Sequence, residues 1–334
     1  MSWTLFQEYM LILNQIWPLI LLAIPSIRDP NAHYQRKEGG GAKRTDNRIL
    51  FNTILYKDMT GIQWNAIFPD KSGYLCKGKT AHKWLMIWGR EHFFEKLLQS
   101  ITLLFDVHSE LQVKWISIDG TLYKAPLGGE LSGRNPTDRG KLGGKRSLCV
   151  DENGIVLALV HAGANVHDCK LLEKTLKALR LLLPADKEIH ICLDAGYVGY
   201  EELVKSFGFI PHIRPRGEEK KQLKKDPRKQ AKRWVVEAAH SQMNQLRSIK
   251  IRYEKTAVAH NSLAQLASCI MTIRTIFRIE LGEDSFWFNK KAAKSGVPLR
   301  TRPIDFTRYD LIGATLRKEA LEHDLFSNNP KQVV

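Results

Sequence analysis

The fold is decided by short strand-like runs that begin with VKWISIDGT, residues 113–121. The next two runs, KRSLCV at 145–150 and IVLALVHA at 155–162, flank the turn sequence DENG at 151–154. An Asn-Gly pair between runs rich in β-branched and apolar residues predicts a β-hairpin. These runs therefore predict three successive antiparallel strands.

Helical and strand-like patterns alternate downstream of the hairpin. Leucines recur at helical spacing over 167–183, EIHICLDAGY at 188–197 alternates, and residues 200–207 and 209–214 predict a short helix and a further strand. The order strand, hairpin, helix, strand, helix, strand predicts an α/β protein with a mixed sheet and flanking helices. It is the order of a ribonuclease H-like fold, in which three antiparallel strands precede two parallel ones.

The pattern upstream of the first strand is helical. Apolar residues recur from Ile49 to Leu55 behind the candidate N-cap residues Thr45 and Asp46, and a second helical pattern starts near Thr80. These helices fit a helix-turn-helix DNA reader and fit any small helical bundle equally well. We therefore expect an all-helical N-terminal domain over 1–105, an α/β domain over 106–280 and a C-terminal tail over 281–334.

The charge of the chain predicts a polyanionic partner. Its 51 Lys and Arg outnumber 35 Asp and Glu, which gives a formal net charge of +16 and a pI near 9.6. Such an imbalance favours nucleic acid or an anionic membrane surface. The apolar stretch at 10–25 contains Asn14, Gln15 and Pro18, so we expect a packed helix there and no membrane association.

Two segments concentrate the positive charge. Residues 214–233 hold ten Lys and Arg against three acidic residues, a net charge of +7, and residues 134–146 are basic and rich in glycine. Each segment suits contact with a phosphate backbone, and each is also compatible with an ordinary solvated surface. The five cysteines form no CxxC pair, which argues against a disulfide framework or a zinc ribbon and favours a reducing cytosol.

Two aspartates lie where predicted strands end. Asp119 ends the first predicted strand, and Asp194 ends the later one after a crossover helix. If those strands are neighbours, both carboxylates lie at one edge of the sheet, where they form a hard oxygen site suited to Mg²⁺ or Mn²⁺. The alternative for each is a strand-end turn former.

A third carboxylate, Glu237, lies in a predicted helix over residues 232–255. An exposed ion pair with Arg233, four residues earlier, is the alternative role for Glu237. His240 falls on the same polar face and is expected at the surface; its alternative role is contact with a phosphate or with a ligand of the metal. Asp168 is expected to cap the crossover helix, and the alternative for His167 and Asp168 is to support the site. The buried stripe of the predicted helix consists of Val235, Ala239, Met243 and Leu246.

The chain resembles the DDE transposases of insertion sequence family five, within the insertion sequence family four superfamily. The resemblance runs from about residue 49 to 255 and is carried by short strings that occur in the family's order. They are ILFNTILY at 49–56, TGIQW at 60–64, IDGT at 118–121, DRGKLGGKR at 138–146, GANVHD at 163–168, LDAGY at 193–197, RPRGEE at 214–219, RWVVE at 233–237 and RYEK at 252–255.

The resemblance implies a catalytic triad that binds metal, formed by Asp119, Asp194 and Glu237, with Mg²⁺ or Mn²⁺, two ions in all. It implies cleavage at the ends of an insertion sequence and transfer of the 3′-hydroxyl into target DNA. The expected partners are terminal inverted repeats and target DNA, bound by a homodimer. The expected location is the cytoplasm, in association with the nucleoid. The cations expected to contact DNA are Arg134, Arg139, Lys141, Lys145, Arg146, Arg214, Arg216, Arg233, Lys250, Arg252 and Lys255.

The chain departs from the family at three positions near the triad. Ala238 replaces the arginine that usually follows the catalytic glutamate, Gln230 stands at the superfamily's tyrosine position and Asn244 at its lysine position. These departures leave open a degenerate, inactive transposase. Two further interpretations stay open, a DNA-binding regulator without catalysis and a nuclease of the same fold without strand transfer.

Overall fold

The computed structural model describes residues 14, 16–21, 23–24, 44–109, 113–183, 188–213 and 234–281. Within these ranges the elements, in chain order, are α1 (Asn47–Thr60), α2 (Gly78–Arg90), α3 (Phe93–Ser109), β1 (Trp115–Lys124), β2 (Gly133–Arg134), β3 (Leu142–Val150), β4 (Val156–Gly163), α4 (Asp168–Leu182), β5 (His190–Leu193), α5 (Glu201–Ser206), β6 (Ile210–Ile213), α6 (Trp234–Met243), α7 (Arg247–Lys250) and α8 (Ala257–Leu281).

One mixed sheet organises the α/β part of the chain. β3 pairs antiparallel with β1 on one side and with β4 and the short β2 on the other, while β1 pairs parallel with β5, and β5 with β6. The resulting order β4-β3-β1-β5-β6 has three antiparallel strands followed by two parallel ones. The predicted ribonuclease H-like fold, a mixed sheet with flanking helices, is confirmed.

The hairpin between β3 and β4 forms at the predicted DENG turn. The Asp151 carboxylate accepts hydrogen bonds from the backbone N–H of Asn153 and of Ile155, at 2.9 and 2.8 Å. Gly154 has a φ of +83°, a conformation that a residue with a side chain rarely adopts. The local sequence therefore fixes this turn, and with it the antiparallel half of the sheet.

Helices cover both faces of the sheet. α4 packs against β3 and β4, and α6 packs against β1 and β3. Successive residues of a strand point to opposite faces; accordingly Asp119 contacts His240 of α6, whereas Gly120 lies against Asp168 of α4. β1 is thus enclosed between two helices at its middle.

The N-terminal helices differ in one respect from the sequence prediction. α1 begins behind Asp46, whose carboxylate accepts from the Arg48 N–H at 2.7 Å, and ends at Gly61 with a φ of +68°. The single pattern predicted from Thr80 onward is two helices, because the chain turns at His92, where φ is +57°. α2 and α3 then pack on α8 around buried aromatic side chains.

The predicted packed helix near the N-terminus has a counterpart at residues 16–21. These residues are helical, and Ile16, Leu19 and Ile20 are buried in the same core as α1. Among the described residues, no helix combines the length and the apolar character needed to cross a bilayer.

The long helix predicted over 232–255 is interrupted. α6 ends at Met243, the short α7 follows, and Ile251 then forms a parallel bridge with Lys124 at the end of β1. The backbone N–H of Arg252 donates to the Lys124 carbonyl at 2.8 Å, so this segment extends along β1 and leaves the helix. The predicted buried stripe is nevertheless buried, from Val235 in α6 to Leu246 just after it.

The helical and α/β parts share a buried ionic contact. Lys57 of α1 lies 3.1 Å from the Glu254 carboxylate and donates to the Ser248 hydroxyl at 2.9 Å, while the Trp64 indole N–H donates to Glu254 at 3.2 Å. α8 also packs on α2 and α3 as well as on β4. The predicted division into domains 1–105, 106–280 and 281–334 stays a prediction, and residues 282–334 lie outside the described ones.

We predict that Lys57→Met lowers the free energy of unfolding by about 3–5 kcal/mol, because it leaves the Glu254 carboxylate buried without its cation. Urea denaturation followed by circular dichroism measures the change. Lys177→Met is the matched control: Lys177 forms a pair with Glu173 at 2.8 Å, but both side chains are more than half exposed. An equal shift in the two variants would contradict a stabilising role for the buried pair.

Candidate active site

Asp119 and Asp194 lie level on two neighbouring strands, just beyond the last pair of the parallel pairing between β1 and β5. Asp194 follows the end of β5, but Asp119 lies in the middle of β1, which continues to Lys124, so the prediction that Asp119 ends its strand is wrong. Ser117 of β1 pairs with Cys192 of β5, and each aspartate comes two residues later in its strand direction. The Asp119 side chain is 25% exposed, and Asp194 is partly exposed. The expectation that the two strands are neighbours is confirmed, and the structure brings these two carboxylates to one edge.

A buried tyrosine follows Asp194 within one turn of the chain, where the Tyr197 N–H donates to the Asp194 carbonyl at 3.1 Å. Tyr197 is 2% exposed, and its hydroxyl has no hydrogen-bond partner among the described residues. Burial raises the pKa of this hydroxyl well above its usual range, and the negative charges of Asp168, Asp119 and Asp194 raise that pKa further. The hydroxyl therefore stays protonated.

Asp168 belongs to the site and does not cap α4, which corrects the sequence prediction. The cap is His167, whose Nδ1 accepts from the Cys169 N–H at 3.4 Å. Asp168 is the first helical residue, and its carboxylate lies against the Cα of Gly120, where any Cβ would overlap it. Glycine after Asp119 thus lets the Asp168 carboxylate approach the strand.

Lys145 compensates one of the three negative charges. Its ammonium group lies 3.0 Å from the Asp168 carboxylate, and its side chain is only 10% exposed. The sequence predicted that Lys145 contacts DNA, but the structure directs its charge to the partly exposed carboxylate of Asp168. Since Lys145 stands on β3, the ion pair also joins the sheet to the start of α4.

His240 of α6 contacts Asp119 directly. Its Nε2 lies 3.3 Å from the Asp119 carbonyl oxygen and 3.9 Å from the carboxylate, and its Nδ1 lies 3.2 Å from Arg146 Nη2. A guanidinium group only donates, so Nδ1 accepts and the neutral ring carries its proton on Nε2, directed at Asp119. The expectation of a surface histidine is wrong, because the packing of α6 on β1 and β3 buries His240.

The protonation state of His240 follows from the same contacts. Burial lowers the pKa of the imidazole to about 3, and the charge of Arg146 acts in the same direction. The ring is therefore neutral at physiological pH and offers Asp119 an N–H donor without a second positive charge.

Arg146 and Arg252 are buried, which corrects the prediction that they contact DNA. Arg146 is fully buried, donates to His240 and to Asn244 at 3.3 Å, and has its pKa lowered to about 10 by burial. Arg252 is 1% exposed and donates to the carbonyl oxygens of Glu254 and Leu131, at 2.7 and 3.3 Å. Both guanidinium groups hold the protein's own segments together.

Glu237 lies in the first turn of α6, exposed, and three residues before His240. α6 packs on β1, so Glu237 shares a helix with the residue that contacts Asp119. Within the described ranges, no group of three His, Cys, Asp or Glu side chains is arranged to hold a metal ion. The joint role of Asp119, Asp194 and Glu237 in binding metal stays a prediction.

The remaining cations predicted to contact DNA fall into two groups. Arg214, Arg216 and Arg233 lie outside the described residues. The others are exposed, namely Arg134, Arg139, Lys141, Lys250 and Lys255.

Sequence reasoning missed three parts of the site. Tyr197 entered the sequence analysis only as the last residue of the LDAGY string, with no role of its own. Lys145 and Arg146 belong to a basic segment, and such a segment predicts exposed side chains, so their structural roles were not predicted. Burial, which reverses that interpretation, depends on contacts between segments far apart in the chain.

Comparison with known proteins places the site within a matched region. Residues 114–272 match the family model described as Transposase DDE domain. The chain is 30% identical over 157 residues to the "Putative transposase for insertion sequence element IS402" of Burkholderia cepacia, an alignment that covers 45% of this chain and 72% of that protein.

Two solved structures are similar at low identity. They are the piggyBac transposase synaptic complex with hairpin DNA, with a TM-score of 0.44, 12% identity and coverage of 97% of this chain and 86% of that one, and the Mos1 strand transfer complex, with a TM-score of 0.31, 11% identity and coverage of 80% and 83%.

The matched segment 114–272 contains Asp119 on β1 and Asp194 after β5, as well as the helix that carries Glu237. Together with the relative that is 30% identical and matched over 72% of its length, this match shows that the chain belongs to the DDE transposase family.

Proposed function

We propose that this transposase belongs to insertion sequence family five within the family four superfamily, that it cleaves DNA at the ends of its element, and that it joins the freed 3′-hydroxyl to target DNA. The observation that carries the proposal is the level placement of Asp119 and Asp194 at one edge of the sheet. Terminal inverted repeats and target DNA are the proposed partners, bound by a homodimer. The proposed location is the cytoplasm, in association with the nucleoid.

The residues at the acidic edge fit a divalent cation. Asp119 and Asp194 lie level on neighbouring strands, and the Asp168 carboxylate lies against Gly120, where it pairs with Lys145. Carboxylate oxygens that are partly open to solvent are the donors that Mg²⁺ and Mn²⁺ prefer. We propose that Asp119, Asp194 and Glu237 hold the metal, as two ions. When bound, such ions lower the pKa of a water molecule and neutralise charge on a phosphate.

The protein's own residues orient the reacting groups. His240 donates its Nε2–H to the backbone carbonyl of Asp119, and Arg146 fixes His240 in turn. Such outer contacts hold the backbone that carries a ligand in position. The exposed cations Lys141 and Lys250, with others of their kind, supply the phosphate contacts that hold a DNA strand in register.

Asp119→Asn, Asp194→Asn and Glu237→Gln test the triad. We expect each to reduce cleavage of a labelled DNA that contains the element's end by more than about 100-fold, because each removes a proposed metal ligand. Loss of a residue that only supports a ligand costs about 10- to 100-fold, so loss of the ligand itself should cost more. Binding of the same DNA should persist within about threefold, since the cations that hold the phosphates are retained. The assay measures nicking with Mn²⁺ and joining to a plasmid target.

Glu173→Gln, which alters an exposed carboxylate on α4, is the control and should behave as the unmodified protein. Full cleavage by any of the three triad variants would refute the assignment of that residue. Nicking without joining would instead favour a nuclease of this fold, and binding without nicking in the unmodified protein would favour a regulator or an inactive transposase.

Two substitutions at His240 separate its two contacts. Glutamine places an amide N–H near the position of Nε2 and retains the donor for Asp119, whereas asparagine reaches only the position of Nδ1, near Arg146. We expect His240→Gln to cleave within about tenfold of the unmodified protein and His240→Asn to lose about 10- to 100-fold.

The concentration of Mn²⁺ at half-maximal cleavage distinguishes positioning from stability. It should rise in His240→Asn more than in His240→Gln, because only His240→Asn loses the donor to the Asp119 carbonyl that holds this part of β1 in place. If both variants lose activity in proportion to a drop in melting temperature, with no change in the Mn²⁺ dependence, His240 has only a structural role.

A further inference from the structure

A cleft of about 610 Å³ opens beside the end of β1, away from the acidic edge. Its cationic walls are Lys124, Arg134 and Lys141, and its apolar walls include Leu142, Ile251 and Tyr253. We call it the β1-end cleft. Its volume falls within the usual range for sites that bind a small molecule, about 300–1,000 Å³.

The exposed side chains of the cleft combine two kinds of chemistry. Tyr253 is 49% exposed and Leu142 43% exposed, so a ring and an apolar side chain face solvent beside three cations. The described residues that line the cleft include no carboxylate. Nearby, Asp138 forms a single loose contact with Lys141 at 3.8 Å, where both side chains are substantially exposed.

This combination fits a nucleotide with an unpaired base better than it fits a duplex backbone. Phosphates of a duplex need only cations, and an apolar wall contributes nothing to them. An unpaired base, in contrast, stacks on an aromatic ring whatever its sequence, while the adjoining phosphate binds Lys or Arg. A duplex, whose bases are paired and stacked on each other, would not stack a base on the exposed ring of Tyr253.

The walls of the cleft are held in place without a ligand. The buried Arg252 fixes the segment that carries Tyr253, because its backbone N–H donates to the Lys124 carbonyl and its side chain donates to the Glu254 carbonyl. On the opposite wall, the Ala125 N–H donates to the Leu142 carbonyl at 3.0 Å. A preformed site loses little free energy to ordering on binding.

The cleft and the acidic edge both lie along β1. Lys124 is five residues beyond Asp119 on β1, which is roughly 16 Å along an extended strand. An unpaired DNA strand held at Asp119 and extended along β1 would need only a few nucleotides to reach the cleft.

We infer that the β1-end cleft binds an unpaired nucleotide of the DNA, with its base stacked on Tyr253 and its phosphates on Lys124, Arg134 and Lys141. The inference rests on the proposed function for its choice of DNA. It assigns the cleft a preference for single-stranded DNA that the triad itself does not supply.

Fluorescence anisotropy with the full chain tests this inference. The probes are a fluorescein-labelled single strand of 20 nucleotides and the blunt duplex of the same sequence, both with EDTA so that no cleavage occurs. Tyr253→Ala should weaken binding of the single strand by about 5- to 100-fold and binding of the duplex by less than about twofold. Tyr253→Phe, which keeps the ring, should bind the single strand within about twofold of the unmodified protein.

Tyr74→Ala is the matched control, since Tyr74 is 41% exposed and lies outside the cleft; it should change neither affinity. Lys141→Ala gives a second test that leaves Tyr253 in place. The slope of log affinity against log salt for the single strand should fall by about 0.7, the value for one lost phosphate contact. Melting temperatures of all variants should agree, because the altered side chains are exposed.

Equal losses on single strand and duplex, or full retention of single-strand binding by Tyr253→Ala, would overturn the inference. These outcomes are separate from a failure of the proposed function. A chain that never cleaves with Mn²⁺ still reports on the cleft in EDTA, and a chain that cleaves normally while Tyr253→Ala binds normally refutes only the cleft.

Discussion

The parallel pairing of β1 with β5 is the constraint on which the site depends. Its register aligns Ser117 with Cys192, so Asp119 and Asp194 emerge level from strands that lie about 4.8 Å apart. Like charges at such a separation repel each other unless a cation compensates them. The fold therefore builds a site of concentrated negative charge at the edge of an otherwise basic molecule.

Buried cations support this site and reduce the charge that is left for DNA. Arg146 holds His240 against Asp119, Lys145 pairs with Asp168, and Arg252 fixes the segment beside the end of β1. A formal charge of +16 therefore overstates the surface available for phosphates. Because each buried cation needs a partner, these side chains connect segments that are distant in sequence.

The fold was predictable where the signals are local, and it was not where an element ends through a tertiary contact. The hairpin at 151–154 and the alternating strands follow from turn chemistry and periodicity. The predicted helix over 232–255 failed, because the Arg252 N–H bonds to the Lys124 carbonyl and draws that segment along β1. In the site, the positions of Asp119 and Asp194 were predictable from strand order, whereas the part taken by Tyr197 was not.

The sequence by itself determined the order of the elements, the class of sheet and the two strands that carry Asp119 and Asp194, because hydrophobic period and turn residues act over a few neighbouring positions. Only the tertiary structure decided which basic residues face solvent and which support the acidic edge. Arg146 and Lys141 lie five positions apart in one glycine-rich basic segment, yet the first is buried under α6 and the second lines an open cleft. Burial depends on which distant segments pack over a residue, and the neighbouring sequence does not determine that packing.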